Sequence, residues 1–157
     1  MQVTFLEATN GIALSKKHSI QNGFTPYPHV KKVTSHEHVI PNDSAGLAMF
    51  EKHLIDHGES GHCMMKGKLK RKIENESRAG KTDRVAYSDL LVLDVDGLKL
   101  PGWDKPLNKL TSTDVKLLAK LVMRELPLAF QNVSYIAQAS ASLGLKGDKA
   151  SLHIFIF

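Results

Sequence analysis

The chain has 157 residues, 42% of them hydrophobic and 24% charged, with 21 Lys and Arg against 16 Asp and Glu for a formal charge of +5. That length supports one globular domain, or two very small ones, and buries roughly 70% of the unfolded surface without disulfides or a structural metal. The single cysteine, Cys63, excludes an internal bridge and suits a reducing cytoplasm, while no apolar run approaches the ~20 residues of a membrane span and the first ten residues lack a secretion signal.

In chain order, Gln2 to Glu7 alternates as an edge strand would, and Asn10-Gly11 reads as a turn. Two prolines punctuate a loop between Gly23 and Pro28, after which Val30 to Ile40 is extended in character. Asp43 or Ser44 caps a helix with Leu47, Ala48, Phe50, Leu54 and Ile55 near one face and Gly58 at its end. His62 to Met65 predicts a short strand, and Lys66 to Arg84 a partly helical, solvated segment. Tyr87 to Asp96 predicts a strand, and the stretch from Leu98 to Asn108, rich in Pro and Gly, a loop. Thr111, Ser112 or Thr113 caps a second helix, lined by Val115, Leu118, Ala119, Val122 and Leu126 and ending near Pro127. Val133 to Ala139 and Ser151 to Phe157 are two further strands, which makes the fold class α+β or mixed α/β.

The positive charge is concentrated. Residues 1 to 60 carry 5 basic and 6 acidic side chains, residues 61 to 84 carry 8 and 3, and residues 85 to 157 carry 8 and 7. A solvated surface and a phosphate-contacting surface both fit the central run.

The segment LLVLDVDG, Leu90 to Gly97, is the most informative. Strand alternation turns Leu91, Leu93 and Val95 to one face and Val92, Asp94 and Asp96 to the other. The two acids are then about 7 Å apart along the backbone at ~3.3 Å per residue, close enough for converging carboxylates to share a hard cation such as Mg²⁺ or Mn²⁺. An Asp-Gly turn accounts for Asp96 but not for an acid two positions earlier in a hydrophobic strand. In SLHIFIF, Leu152, Ile154 and Ile156 share a face, leaving Ser151 and His153 on the other. Neighbouring placement of the two strands would set this polar pair over phosphates held at Asp94 and Asp96.

Asp94-Val-Asp96 after one hydrophobic strand and Ser151-Leu-His153 opening another resemble the first two signature motifs of the archaeo-eukaryotic primase superfamily, the primase-polymerases of phages, plasmids and other mobile elements. Ser140, Ser142 and Gly144 look like the small-residue stretch leading into the second motif. GHCMMKG (Gly61 to Gly67) and SRAGKT (Ser77 to Thr82) look like the region upstream of the first. The resemblance covers roughly Gly61 to Phe157. It implies an α+β fold, with a mixed sheet resembling an RNA-recognition-motif catalytic core and an N-terminal α/β module, forming a single catalytic domain over residues 1 to 157. It also implies a nucleotidyltransferase that makes DNA or RNA chains on a DNA template from nucleoside triphosphates, working beside a helicase domain or protein. Asp94 and Asp96 would hold Mg²⁺ or Mn²⁺, His153 aided by Ser151 would contact the triphosphate, and Arg78 and Lys81 would contact triphosphate or template backbone. The family's third acidic motif does not follow His153, so the expectation is an N-terminal piece of a longer protein with an incomplete metal site.

Two other functions fit parts of the sequence. LVLDVDGLKL resembles the first motif of haloacid-dehalogenase-type phosphatases, with Asp94 as nucleophile and Asp96 as general acid, but that reading leaves Ser151 and His153 unexplained. A nonenzymatic nucleic-acid-binding domain would use Lys66 to Arg84 on phosphates and bind independently of divalent cations. His36 and His38, His53 and His57, and His62 beside Cys63 lack the paired spacing of a structural zinc site and read as solvated or hydrogen-bonded. GLKGDKAS, Gly144 to Ser151, lacks the spacing of a phosphate-binding P-loop.

Overall fold

A computed structural model describes residues 1–19, 21, 23–145 and 149–156. Phe157, expected to end the last strand, and Lys146, Gly147 and Asp148 of GLKGDKAS lie outside the described residues. The protein is a small α+β fold with two α-helices, and internal contacts divide it into two compact units. The first comprises Met1–Lys17 and Gly23–Asp89; the second takes His18, Ser19 and the chain from Leu90 onward.

In chain order the elements up to residue 83 are β1 (Gln2–Ala8), β2 (Lys17–Ser19), β3 (Gly23–Thr25), β4 (Val33–Val39), α1 (Ser44–Glu59), β5 (Cys63–Met65), β6 (Lys68–Leu69) and β7 (Thr82–Asp83). The order β4-β1-β5 makes β1 a central strand, not the edge strand its alternation suggested. Its residues from Val3 to Leu6 are all buried, because both faces of this small sheet are covered. On one face Leu6, Ala8, Val33 and Met65 pack with Leu14 and Ile73.

Asp43 caps α1 by accepting a hydrogen bond from the Gly46 amide at 2.8 Å. The helix runs one residue past Gly58. Its buried residues are Gly46 and Phe50, followed at helical spacing by the half-buried His53 and His57. The inner face is therefore rotated from the one expected: Ile55 is 52% exposed and Ala48 is also exposed.

Lys66 to Arg84, expected to be partly helical, contains no helix. Lys66/Lys70 and Lys68/Lys72 would oppose like charges one helical turn apart. The segment is instead pinned along β4: the Ile73 amide donates to Ser35 Oγ at 2.9 Å and the Ser35 amide to the Ile73 carbonyl at 2.8 Å. Ile73 is completely buried.

The second unit contains β8 (Leu91–Lys99), α2 (Ser112–Glu125), a 3₁₀ turn over Leu128–Phe130, β9 (Tyr135–Ala139) and β10 (Lys149–Ile156). Thr111 and Asp114 form a reciprocal capping box at the start of α2. The buried stripe of α2, Leu118, Ala119, Val122 and Met123, packs with Leu152, Ile154 and Ile156 of β10. The sheet order is β8-β10-β9, with both outer strands antiparallel to β10. The sheet was expected to be mixed, but every described pairing is antiparallel, because β10 inserts between the two strands that α2 connects.

Strand β8 starts later and ends later than the pattern suggested, continuing through Gly97 to Lys99. Ala150 pairs with Leu98 and Ser151 with Asp96, so Gly97 is an extra residue on β8. It takes φ +78, the left-handed conformation that a bulge residue of this kind requires and glycine supplies without strain.

Candidate active site

The bulge sets the register of the acidic face. Beyond it Ser151 lies opposite Asp96 and His153 opposite Asp94, while Leu152 and Ile154 pair with Val95 and Leu93 on the core face. Directly paired residues share a face of the sheet, so Asp94, Asp96, Ser151 and His153 form one constellation, as the alternation predicted.

Ser151 is fully buried, and its hydroxyl donates to Asp96 Oδ1 at 3.0 Å. It therefore acts on whatever binds here through Asp96. His153 Nε2 lies 3.4 Å from Asp94 Oδ1, with 33% and 57% of the two side chains exposed. On its other flank His153 pairs with Gln138 of β9, an exposed amide on the same face. Sequence reading missed Gln138; its signal is the polar break in the apolar run YIA just before it.

The donors are two carboxylates and an imidazole on an accessible face. Oxygen ligands suit Mg²⁺ and Mn²⁺, and Mn²⁺ also tolerates an imidazole. Ser151 donates to one oxygen of Asp96 and so holds this exposed carboxylate in place. The donor chemistry thus fits a hard divalent ion. The three groups are not, however, gathered around one point: among the described residues, trios of such ligand atoms within 4.8 Å of one another occur at His38, His53 and His57 and at Glu7, His36 and His62.

The small-residue stretch before β10 supports the site strand. The Ser140 amide donates to the Ser151 carbonyl at 3.0 Å, and Ser140 Oγ lies 3.2 Å from Ser142 Oγ.

Arg78 and Lys81 belong to the first unit. Lys81 and Arg71 both pair with Glu76, whose carboxyl they hold down at about 2, Arg71 contributing most. A phosphate would thus compete with Glu76 for Lys81. Arg78 Nη1 donates to Thr82 Oγ1 at 3.5 Å. An open cleft of about 450 Å³ lies alongside, bounded by Lys70, Gly80, Thr82, Asp83, Arg84 and Val85.

The histidines expected to be solvated or hydrogen-bonded are indeed hydrogen-bonded, but largely to one another. His57 is pushed down to about 4, chiefly by burial and then by His38, His62, His36 and His53. Burial also lowers His38, with help from His53 and His36, and lowers His62 against the opposing pull of Glu7.

No protein-family model, curated protein or solved structure matches the chain. Among the described residues no helix is long and apolar enough to cross a membrane.

Proposed function

We propose that the second unit is the nucleotide-handling part of a primase-polymerase, a nucleotidyltransferase that extends nucleic-acid chains from nucleoside triphosphates on a DNA template. The observation that carries this reading is the pairing of two polar couples across adjacent strands: Ser151 with Asp96, and His153 with Asp94. The topology supports it too. A strand, a helix and a second strand, with a third strand inserted between the two, is the split βαβ arrangement on which RNA-recognition-motif sheets are built.

Asp94 and Asp96 would hold the divalent cation, which when bound supplies charge neutralisation for the triphosphate. Ser151 fixes the Asp96 carboxylate, so that it need not be ordered at the moment of binding. His153 would donate a ring N–H to a phosphate oxygen from its place opposite Asp94. Gln138 would extend the same polar row toward the sugar or base. The phosphatase alternative assigns no work to Ser151 or His153, whereas here both have a role.

The test is Mn²⁺-dependent binding of a fluorescent nucleoside triphosphate to the wild-type chain and to Asp94→Ala. The expected result is binding that requires the cation and weakens at least tenfold in the variant. Equal binding by both proteins, or binding that persists in chelator, would overturn the proposal; cation-independent, salt-sensitive DNA binding alone would favour a nonenzymatic domain.

A further inference from the structure

Five histidines and a glutamate, distant in sequence, meet in the first unit. On β4, His36 pairs with Phe5 and His38 with Val3, so both histidines lie on the sheet face that also carries Glu7. Helix α1 brings His53 and His57 to the same place, one turn apart on its inner face. His62 follows just after the helix, its amide donating to the His57 carbonyl at 2.9 Å. The His57 ring stacks on Phe5 with centroids 4.0 Å apart, and the His38 ring stacks on His53 at 3.9 Å. An aliphatic layer between helix and sheet would avoid the cost of desolvating imidazoles.

Proton bookkeeping shows what the cluster can do. A neutral imidazole has one N–H and one lone pair. His57 Nε2 lies 2.9 Å from His38 Nε2, while His57 Nδ1 lies 2.8 Å from His62 Nδ1. If His57 carries its proton on Nδ1 and donates it to His62 Nδ1, then His62 carries its own on Nε2. That nitrogen faces Glu7 Oε2 at 3.9 Å, and the same oxygen lies 2.8 Å from His36 Nε2. This arrangement leaves the lone pair of His57 Nε2 turned toward His38 Nε2, with ligand atoms of His38, His53 and His57 all within 4.8 Å of one another. Tetrahedral zinc with bonds of about 2.05 Å sets its nitrogen ligands roughly 3.3 Å apart, so small ring movements suffice.

We propose that the first unit holds one late-transition divalent ion of the Zn²⁺ type on His38, His53 and His57, with an open fourth position for water or an anion. Behind it lie His62, hydrogen-bonded to His57, and Glu7, which bonds His36 and faces His62 across 3.9 Å; this layer fixes the tautomer of His57, as outer carboxylates do for ligands at zinc centres. Imidazole donors select this class of ion over Mg²⁺, and the half-buried ligands leave it a path of entry. Cys63 adjoins His62 but pairs with Leu6 on the opposite face of the sheet, so the donor set is nitrogen and not sulfur.

The experiment uses the whole chain, stripped with chelator and titrated with ZnCl₂ by calorimetry and with CoCl₂ by visible absorption. One equivalent should bind, and cobalt should show the intense d–d bands of a tetrahedral site. His53→Ala should lose both signals at micromolar metal, whereas Glu7→Gln should retain one equivalent with about tenfold weaker affinity. If His53→Ala does not fold by circular dichroism, His38→Gln is read in its place. The proposal is overturned if the wild-type chain binds no stoichiometric metal, if the ligand variant binds as wild type does, or if Glu7→Gln abolishes binding while the ligand variant keeps it.

Discussion

Replacing Gly144 with alanine tests how the chain approaches the site strand β10. Gly144 has φ +80, and an added Cβ would meet Leu107 O at 2.5 Å, Asn108 Cα at 2.7 Å and Asn108 N at 2.8 Å, all backbone atoms that cannot rotate away. Two costs follow: the left-handed conformation costs an alanine roughly 1–2 kcal/mol, and pressing one backbone apart from another costs about 1–3 kcal/mol. A unit of roughly 70 residues has a total stability on the order of 4–10 kcal/mol, so about 2–5 kcal/mol is a large share. Gly102 provides the control, since its φ is +75 but a Cβ there meets nothing within 4 Å. Gly102→Ala should therefore show the conformational cost alone. The assay is urea denaturation followed by fluorescence of Trp103, the only tryptophan, which packs against the core of the second unit. Gly144→Ala should lower the midpoint at least twice as far as Gly102→Ala. Equal midpoints for the two variants would refute the close approach of residues 107–108 to Gly144.

Ser151→Ala removes the donor on Asp96 without leaving a buried partner unsatisfied, because Asp96 itself is exposed. About 1 kcal/mol of positioning should be lost, roughly a fivefold weakening of Mn²⁺ binding with little change in the denaturation midpoint; unchanged Mn²⁺ affinity by calorimetry would remove Ser151 from the site. Asp114 supplies a pH dependence: Lys105 first, then the Thr111 amide and hydroxyl, hold its carboxyl down to about 2 from an ordinary 3.8. A lowered carboxylate stabilises the fold fully above the ordinary value and loses that contribution as pH falls from about 4 toward 2. Asp114→Asn should therefore be less stable than wild type at pH 7, with the gap closing across that window in urea titrations; a gap constant from pH 7 to pH 2 would contradict the pairing.

Strand alternation made β8 and β10 legible, because aliphatic residues at every second position leave no other face for Asp94, Asp96, Ser151 and His153. The bulge was not legible, since Gly97 after Asp96 reads as a turn until a partner strand shows that pairing resumes at Leu98. The inner face of α1 is hidden for a related reason: a periodicity count scores His53 and His57 as polar and so favours Ile55, which the fold leaves exposed. What buries the histidines is other histidines on β4 and at residue 62, contacts between distant residues that no local window contains. Lys66 to Arg84 carried helix-forming residue types, but a non-local pair of hydrogen bonds between Ile73 and Ser35 decided its path.

Asp94 and Asp96 also have a bland explanation. Strand β8 lies at the edge of the described sheet, and charges on edge strands discourage pairing with other chains. That explanation requires only charge, of either sign and without support from below. The observed arrangement is more specific. A serine is fully buried where an alanine would have been buried at no polar cost, and its one hydroxyl hydrogen is spent on Asp96. The bulge at Gly97 interrupts the ladder at the one place that brings Ser151 opposite that acid, and the next polar pair outward is again acid with a potential cation, Asp94 with His153. Protecting an edge does not call for a register shift or a buried hydroxyl, whereas both serve the proposed role of Asp96 by bringing Ser151 opposite it and holding its carboxylate still.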